Sequence, residues 1–154
     1  MPEQVTKTII VKGGVTDVYQ LWSDFENFPH YMEHVKAVKP LGNRTSEWTV
    51  KGPLGTSVTW QAEMTRAEEN KRIGWNTKDK GGTVTTSGQV TFNALPDNQT
   101  EVTVLLQYDL AGGAAGDIIA KIFANPEQKL EQDLRNFKSY AEGMYDRTGK
   151  KDRA

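Results

Sequence analysis

The chain has 154 residues, of which 36% are hydrophobic and 25% are charged, and 19 Lys and Arg face 20 Asp and Glu for a net charge of -1. This length predicts about one globular domain, and the balanced charge argues against nucleic acid as a partner. The absence of Cys excludes disulfides and thiolate sites, and because we find neither a secretory signal nor an apolar run of ~20 residues, we predict a cytoplasmic protein.

The first predicted elements are a strand and two short helices. Val5, Ile9 and Val11 share one face of the strand. Apolar residues then recur at the three- and four-residue spacing of a buried helical stripe, at Val15, Val18, Trp22 and Phe25. Asn27 is expected to cap the second helix, with Pro29 in its first turn.

From Val35 onward, apolar and polar residues alternate, which is typical of strands with one buried face. Turn residues follow at short intervals, at Gly42-Asn43, Gly52-Pro53, Glu69-Asn70, Gly81-Gly82 and Pro96-Asp97-Asn98. This pattern predicts an antiparallel meander of about six strands, covered on one face only.

A long C-terminal helix is predicted to cover that face. It begins after Asn125-Pro126, and its apolar stripe comprises Leu130, Leu134, Phe137, Ala141 and Met144. We therefore predict an α+β fold in which a curved antiparallel sheet of about seven strands, in the order β-α-α-β6-α, wraps around this helix. Residues 1–145 form the single predicted domain, and the polar residues 146–154 form a frayed tail.

The segment before the long helix is unusually apolar. Its four large apolar residues are Ile118, Ile119, Ile122 and Phe123, more than one helical stripe needs. We expect a short helix that packs on the domain edge, covers a cavity as a lid, or faces a partner. Contact with a membrane is a further alternative, but membrane-surface helices carry several Lys or Arg residues, and Lys121 is the only basic residue of this segment.

The stretch "HYMEH" places His30, Glu33 and His34 in the H-x-x-E-H pattern of a zinc-peptidase group. A metal site would need both histidines on one helix and a third converging ligand. Because the spacing of apolar residues changes from a helical to a strand period near Val35, we expect His34 at the junction of a helix and a strand. We therefore predict no metal site and no cofactor, with both histidines at the surface or a rim.

A curved sheet around one helix leaves space that the helix does not fill, and we predict a ligand cavity there. The predicted ligand-binding residues are Phe28, Tyr31, Trp48, Val50, Trp60, Trp75, Phe92, Leu106, Tyr108, Ile118, Ile122, Leu130, Leu134 and Phe137. Arg66 shares the inward parity of Met64 and is the predicted polar contact. Acidic residues, Glu63 among them, fall on the outward parity or in turns, so no catalytic residue is predicted.

Several stretches resemble the polyketide cyclase/dehydrase family of the START-like, helix-grip (SRPBCC) superfamily. They are "LWSDFENFPHYMEHVKAV", "RIGW", "SGQVTF", "TEVTVLLQYDLAGG" and "DLRNFKSYAE". The resemblance covers roughly residues 5 to 145, and it implies a helix-grip fold with a pocket for lipids, quinones, polyketides or other hydrophobic molecules. Some members of the family catalyse cyclisation or dehydration, whereas others bind or carry, so function must be argued from the site.

The leading hypothesis is the binding or transport of a hydrophobic small molecule, such as a lipid, an isoprenoid or quinone, or a polyketide-like compound. One alternative is a cyclase/dehydrase-type enzyme that orients its substrate in the same cavity. Another is a protein-interaction module that docks through Ile118–Phe123.

Overall fold

The computed structural model describes residues 3–51, 55–77, 84–110 and 125–148. The first elements are β1 (Glu3–Lys12), α1 (Val15–Ser23) and a 3-10 helix (Phe25–His30). The strands that follow are β2 (Val35–Gly42), β3 (Thr45–Lys51), β4 (Ser57–Glu68), β5 (Arg72–Thr77), β6 (Val84–Leu95) and β7 (Gln99–Leu110). The long helix α2 (Pro126–Thr148) completes the described elements.

The seven strands form one curved antiparallel sheet in the order β1-β7-β6-β5-β4-β3-β2. Strands β2 to β7 are therefore a meander, and β1 joins it beside β7. Register shifts interrupt the β2–β3 pairing twice and the β4–β5 pairing once, between Met64 and Arg66. Such bulges bend strands and increase their twist. The predicted α+β fold and element order are confirmed.

Three details of the prediction differ from the structure or lie outside it. The second helix is a 3-10 helix that begins at Phe25, so Asn27 lies inside it, and its side-chain amide donates to Asp24 Oδ2 at 3.1 Å. Helix α2 continues to Thr148, beyond residue 145, after which the predicted tail begins. The predicted helix over 117–124 and the turns at Gly52-Pro53 and Gly81-Gly82 lie outside the described residues.

The two faces of the sheet differ as the alternation predicts. The outer face carries hydrogen-bonded threonine hydroxyls across strands, Thr8 with Thr103 at 3.0 Å and Thr49 with Thr59 at 3.2 Å. The inner face packs against α1, the 3-10 helix and α2, where the core of the domain lies. One face therefore contacts water and the other is covered, as in many antiparallel sheets.

Aromatic rings join the helices within the core. Phe137 of α2 is fully buried, and its ring lies edge to face against Trp22 at 4.9 Å and Tyr31 at 5.0 Å between centroids. Trp22 in turn contacts Phe92 of β6 at 6.4 Å. Edge-to-face pairs add to the burial of apolar area. The C-terminal half of α2 is thereby held against α1, the 3-10 helix and the sheet.

Two charged side chains of α2 also hold the edge strand β1. Lys138 Nζ donates to the Ile10 carbonyl oxygen at 2.7 Å and to Glu142 Oε2 at 2.7 Å. The Lys12 N–H donates to the same Glu142 oxygen at 2.8 Å. An edge strand presents unpaired backbone groups, and here α2 supplies partners for two of them. We call these four residues the β1 clamp.

We expect Glu142→Ala to lower the free energy of unfolding by about 1.5–3 kcal/mol, because it removes two charge-assisted hydrogen bonds at a partly buried position. Urea denaturation measures this change. Glu131→Ala is the matched control on the same helix. It breaks only the exposed Glu131–Arg135 pair and should cost at most about 0.5 kcal/mol. Equal losses in the two variants would contradict a stabilising role for the clamp.

Candidate functional site

An apolar cavity of about 220 Å³ lies between the sheet and the N-terminal half of α2. Three tryptophans on neighbouring strands, Trp48, Trp60 and Trp75, contribute to its wall. Trp48 and Trp60 are directly opposite each other in the β3–β4 ladder. Since cross-strand partners share one face of a sheet, the two indoles form a continuous aromatic surface.

A glycine on the inner face of the sheet makes room for one of these indoles, that of Trp75. Gly88 of β6 pairs with Trp75 on one side and with Leu106 on the other, so a row of large side chains is interrupted at its position. An added Cβ atom would lie 2.8 Å from the Trp75 ring and would also collide with the Leu105 carbonyl oxygen. The Trp75 indole therefore rests on the bare backbone at Gly88.

The tryptophan side chains are held in place by their neighbours. Trp48 Nε1 donates to Ser46 Oγ at 2.9 Å, which satisfies the polar group of this ring within the wall. The Trp48 ring also contacts Phe28 at 5.2 Å and Phe25 at 6.0 Å between centroids. Such a largely preformed apolar wall with satisfied polar atoms is typical of small-molecule sites.

Polar side chains meet at one part of the wall, which we call the mouth cluster: His34, Lys129, Asp133 and the adjacent Glu33. His34, Lys129 and Asp133 line the cavity, and Glu33 is exposed beside them. Lys129 and Asp133 are one turn apart on α2, whereas Glu33 and His34 lie in the connection between the 3-10 helix and β2. The fold thus brings together groups that are about 100 residues apart in sequence.

Burial perturbs the titration of the mouth cluster. It raises the pKa of Asp133 to about 7, with a further increase from the negative charge of Glu33 and an opposing effect of Lys129. Burial likewise lowers the pKa of Lys129, which Asp133 partly counteracts. The pKa of His34 is also lowered, by burial and then by Lys129. Asp133 can therefore gain or lose a proton near neutral pH, as groups in functional sites commonly do.

Half of the predicted ligand-binding residues lie on the cavity wall, namely Phe28, Trp48, Val50, Trp60, Trp75, Leu106 and Leu130. Four others, Tyr31, Phe92, Leu134 and Phe137, are buried in the core. Periodicity places these four on inward faces but does not distinguish core from cavity. Tyr108 belongs to β7, and its side chain lies outside the described residues, as do Ile118 and Ile122.

Arg66 does not belong to the described cavity wall. The bulge between Met64 and Arg66 breaks the alternation on which its inward orientation was predicted. Its side chain is 53% exposed, with the guanidinium 3.8 Å from Glu68 Oε2. Glu63 was predicted to face outward, yet it lies at the edge of the cavity while remaining exposed.

Sequence reasoning missed the mouth cluster as a site. Lys129 and Asp133 flank the apolar stripe at Leu130 and Leu134 with the four-residue spacing of one helical turn. This pattern is a usable signal, because charged residues beside a buried stripe lie at its boundary with solvent. No comparable pattern in the sequence predicts that Lys129 and Asp133 lie near Glu33 and His34.

The histidines of "HYMEH" have different neighbours. The exposed His30 ring stacks on Tyr140 of α2, with centroids 5.8 Å apart and planes at 7°, whereas His34 lines the cavity. Within residues 3–51, 55–77, 84–110 and 125–148, no three side chains are grouped as a metal site requires. No helix in the part of the chain that the structure describes is long and apolar enough to cross a membrane.

The raised pKa of Asp133 makes stability depend on pH. Protonation of this carboxyl favours the fold, so its contribution is complete below about pH 4 and is lost as the pH rises through about 7. Asp133→Asn removes the charge and keeps the shape. With allowance for solvent screening, we expect this variant to be more stable than the wild type by roughly 1–2 kcal/mol at pH 8 and by progressively less toward pH 4.

Thermal or urea unfolding at pH 5, 6, 7 and 8 measures the effect. Glu131→Gln, at an exposed position of the same helix, is the control and should show no such trend. If the free energies of unfolding of Asp133→Asn and the wild type differed by the same amount at every pH in this range, the raised pKa of Asp133 would be contradicted.

Known proteins share both the sequence pattern and this architecture. The family model for polyketide cyclase/dehydrase and lipid transport proteins matches residues 13–135. An uncharacterized 17.2 kDa protein of Streptomyces lincolnensis is 28% identical over 146 residues, which cover 95% of this chain and 94% of the relative.

Solved structures extend the comparison to the whole fold. A protein from Deinococcus radiodurans is 32% identical with a TM-score of 0.71, covering 91% of this chain and 98% of its own. An aromatase/cyclase from Streptomyces sp. R1128 has a TM-score of 0.73 at 14% identity, covering 92% of this chain and 94% of its own. A START superfamily protein from Mycobacterium smegmatis has a TM-score of 0.70 at 18% identity, covering 89% and 97%. The helix-grip architecture agrees with that of START-like proteins, and because the family match spans most of the chain, the protein belongs to the polyketide cyclase/dehydrase and lipid transport family.

Proposed function

We propose that the protein binds a hydrophobic small molecule in the cavity between the sheet and α2. The observation that carries this proposal is the apolar space of about 220 Å³ beside Trp48, Trp60 and Trp75. An empty apolar cavity costs stability, because the atoms that line it lack contacts on one side. A ligand of matching shape restores those contacts, and membership of a family that includes lipid transport proteins supports this role.

The size of the cavity favours a compact ligand. Its volume of about 220 Å³ is below the ~300–1,000 Å³ of pockets for drug-sized molecules. It exceeds the ~150 Å³ of an engineered cavity that accepts benzene. A molecule of one or two rings, or a single isoprenoid unit of similar bulk, therefore matches the space better than a diacyl lipid.

A second candidate function is catalysis on a polyketide-like substrate. The observation that favours it is that Asp133, with a pKa of about 7, and His34 both line the wall of the cavity. Cyclisation and dehydration both need a proton to be removed and another to be delivered, and groups that titrate near neutral pH do this best. A binding protein releases its ligand unchanged, whereas an enzyme converts it, so product analysis distinguishes the two. The interaction-module alternative rests on Ile118–Phe123, outside the described residues.

Naphthalene, which is apolar and has no head group, tests the proposal directly. We expect it to quench or shift the fluorescence of the wall tryptophans and to bind with a 1:1 stoichiometry in calorimetry. Ala62→Leu and Leu106→Phe each add side-chain volume to the wall and should weaken binding at least tenfold, because the added atoms occupy the ligand's space.

Ala37→Leu adds the same side chain at an exposed position of β2 and should leave affinity unchanged. Circular dichroism and unfolding curves identify variants that keep the fold. If both filling variants fold and bind naphthalene as well as the wild type does, or if the wild type binds none, the cavity is not the site we propose. Native mass spectrometry of protein purified from its host then identifies the natural ligand.

A further inference from the structure

The N-terminal half of α2 places an acid and a base side by side on a largely apolar wall. Lys129 and Asp133 lie one turn apart and both line the cavity. Each affects the titration of the other, which shows that their charges are close. On the opposite side of the mouth, Glu33 acts on Asp133, and His34 lies on the cavity wall.

We propose that the ligand is a compact ring compound with a neutral hydroxyl group, and that this hydroxyl binds between the Lys129 ammonium and the Asp133 carboxylate at the cavity mouth. This inference rests on the proposed function and narrows its ligand class. It assigns the ring to the tryptophan wall and the hydroxyl to the mouth cluster.

Charge and hydrogen-bond complementarity at the mouth cluster favour a hydroxyl. A hydroxyl both donates and accepts, so it donates to the carboxylate of Asp133 and accepts from the ammonium of Lys129. A ligand carboxylate would accept from Lys129 but cannot donate to Asp133, and it would meet the negative charges of Asp133 and Glu33. A ligand ammonium would donate to those carboxylates but cannot accept from Lys129, whose positive charge opposes it. Like charges in a partly dehydrated site oppose binding strongly. The mouth cluster therefore discriminates against either kind of ion and accepts a neutral polar group.

The mouth cluster lies directly beside the apolar part of the cavity wall. Leu130, on the same turn of α2, is buried on the cavity wall between the two charged residues in sequence. A ligand whose hydroxyl binds at the mouth therefore places its ring against the apolar side chains of the wall at the same time. A ligand without a polar group would leave the partly buried Asp133 carboxylate facing its hydrocarbon surface, at a cost in desolvation.

A matched probe series tests the proposal, in which the ring is constant and only the head group changes. The probes are 2-naphthol, 2-naphthoate, 2-naphthylmethylammonium and the parent naphthalene, measured by calorimetry at pH 7.5. Naphthol remains neutral there, since phenols ionise near pH 10. We expect naphthol to bind at least tenfold more tightly than naphthoate, and more tightly than naphthylmethylammonium or naphthalene.

Two variants identify the residues that discriminate between the head groups. Asp133→Asn should weaken naphthol binding and strengthen naphthoate binding several-fold, because a negative charge is removed while the shape is kept. Lys129→Met keeps the aliphatic stem and should strengthen the binding of naphthylmethylammonium instead. Glu131→Gln, on the exposed face of α2, should change none of the affinities.

A pH series gives an independent readout. As the pH falls from 8 to 6, Asp133 gains a proton and naphthoate should bind progressively more tightly to the wild type, whereas its affinity for Asp133→Asn should stay constant. The probe stays ionised over this range because carboxylic acids of this kind titrate near pH 4. The other charged or titratable groups near Asp133 are Glu33, His34, Lys129 and Lys51, and Arg44 and Glu63 also line the cavity. A His34→Gln variant should keep the trend.

The outcomes separate this inference from the function on which it rests. If naphthalene binds but naphthoate or naphthylmethylammonium binds as tightly as naphthol, the hydroxyl assignment is overturned and the apolar cavity remains a binding site. If no member of the series binds, the proposed function itself fails. Tight naphthol binding with the stated responses of Asp133→Asn and Lys129→Met supports the assignment.

Discussion

The contact between Phe137 of α2 and Trp22 of α1, with ring centroids 4.9 Å apart, ties the long helix to the rest of the domain. Phe137 and Ala141 are fully buried there, and Leu134 is nearly so. The β1 clamp fixes the same half of the helix to the edge of the sheet. With its C-terminal half held in this way, α2 contributes its first two turns to the cavity wall.

The cavity is a consequence of how the inner face of the sheet is built. Its largest side chains are rigid indoles, and the absence of a side chain at Gly88 lets the Trp75 indole rest on the backbone there. Rigid rings cannot bend to close a gap as Met or Leu would, so space remains between them and α2. Unfilled apolar space and a partly buried carboxyl both reduce stability, and proteins commonly accept such costs where a site is needed.

The polar residues at the mouth decide what this architecture can do. A helix-grip fold supplies a hydrophobic space, and similar folds occur in a START superfamily protein and in an aromatase/cyclase. In this chain, Asp133, Lys129 and His34 line the cavity beside the apolar wall. The same groups that orient a polar group could also move a proton, because burial places the pKa of Asp133 near neutral pH. Whether a protein of this fold binds a ligand or converts it therefore depends on the chemistry of a few atoms, which the fold alone does not determine.

The sequence by itself determined the elements and their inward faces, because alternation along a strand and the stripe of a helix are local properties. Trp48, Trp60 and Trp75 could be placed on the inner face for this reason. Tertiary structure alone decided which inward residues meet the cavity and which meet the core: Leu130 and Phe137 belong to one stripe, yet only Leu130 lines the cavity. It also decided the position of Arg66, through a bulge, and the raised pKa of Asp133, through burial and then the carboxylate of Glu33, which is about 100 residues away in the sequence. The physical reason is that register shifts, helix placement and electrostatic proximity all arise from contacts between segments that are far apart in the chain.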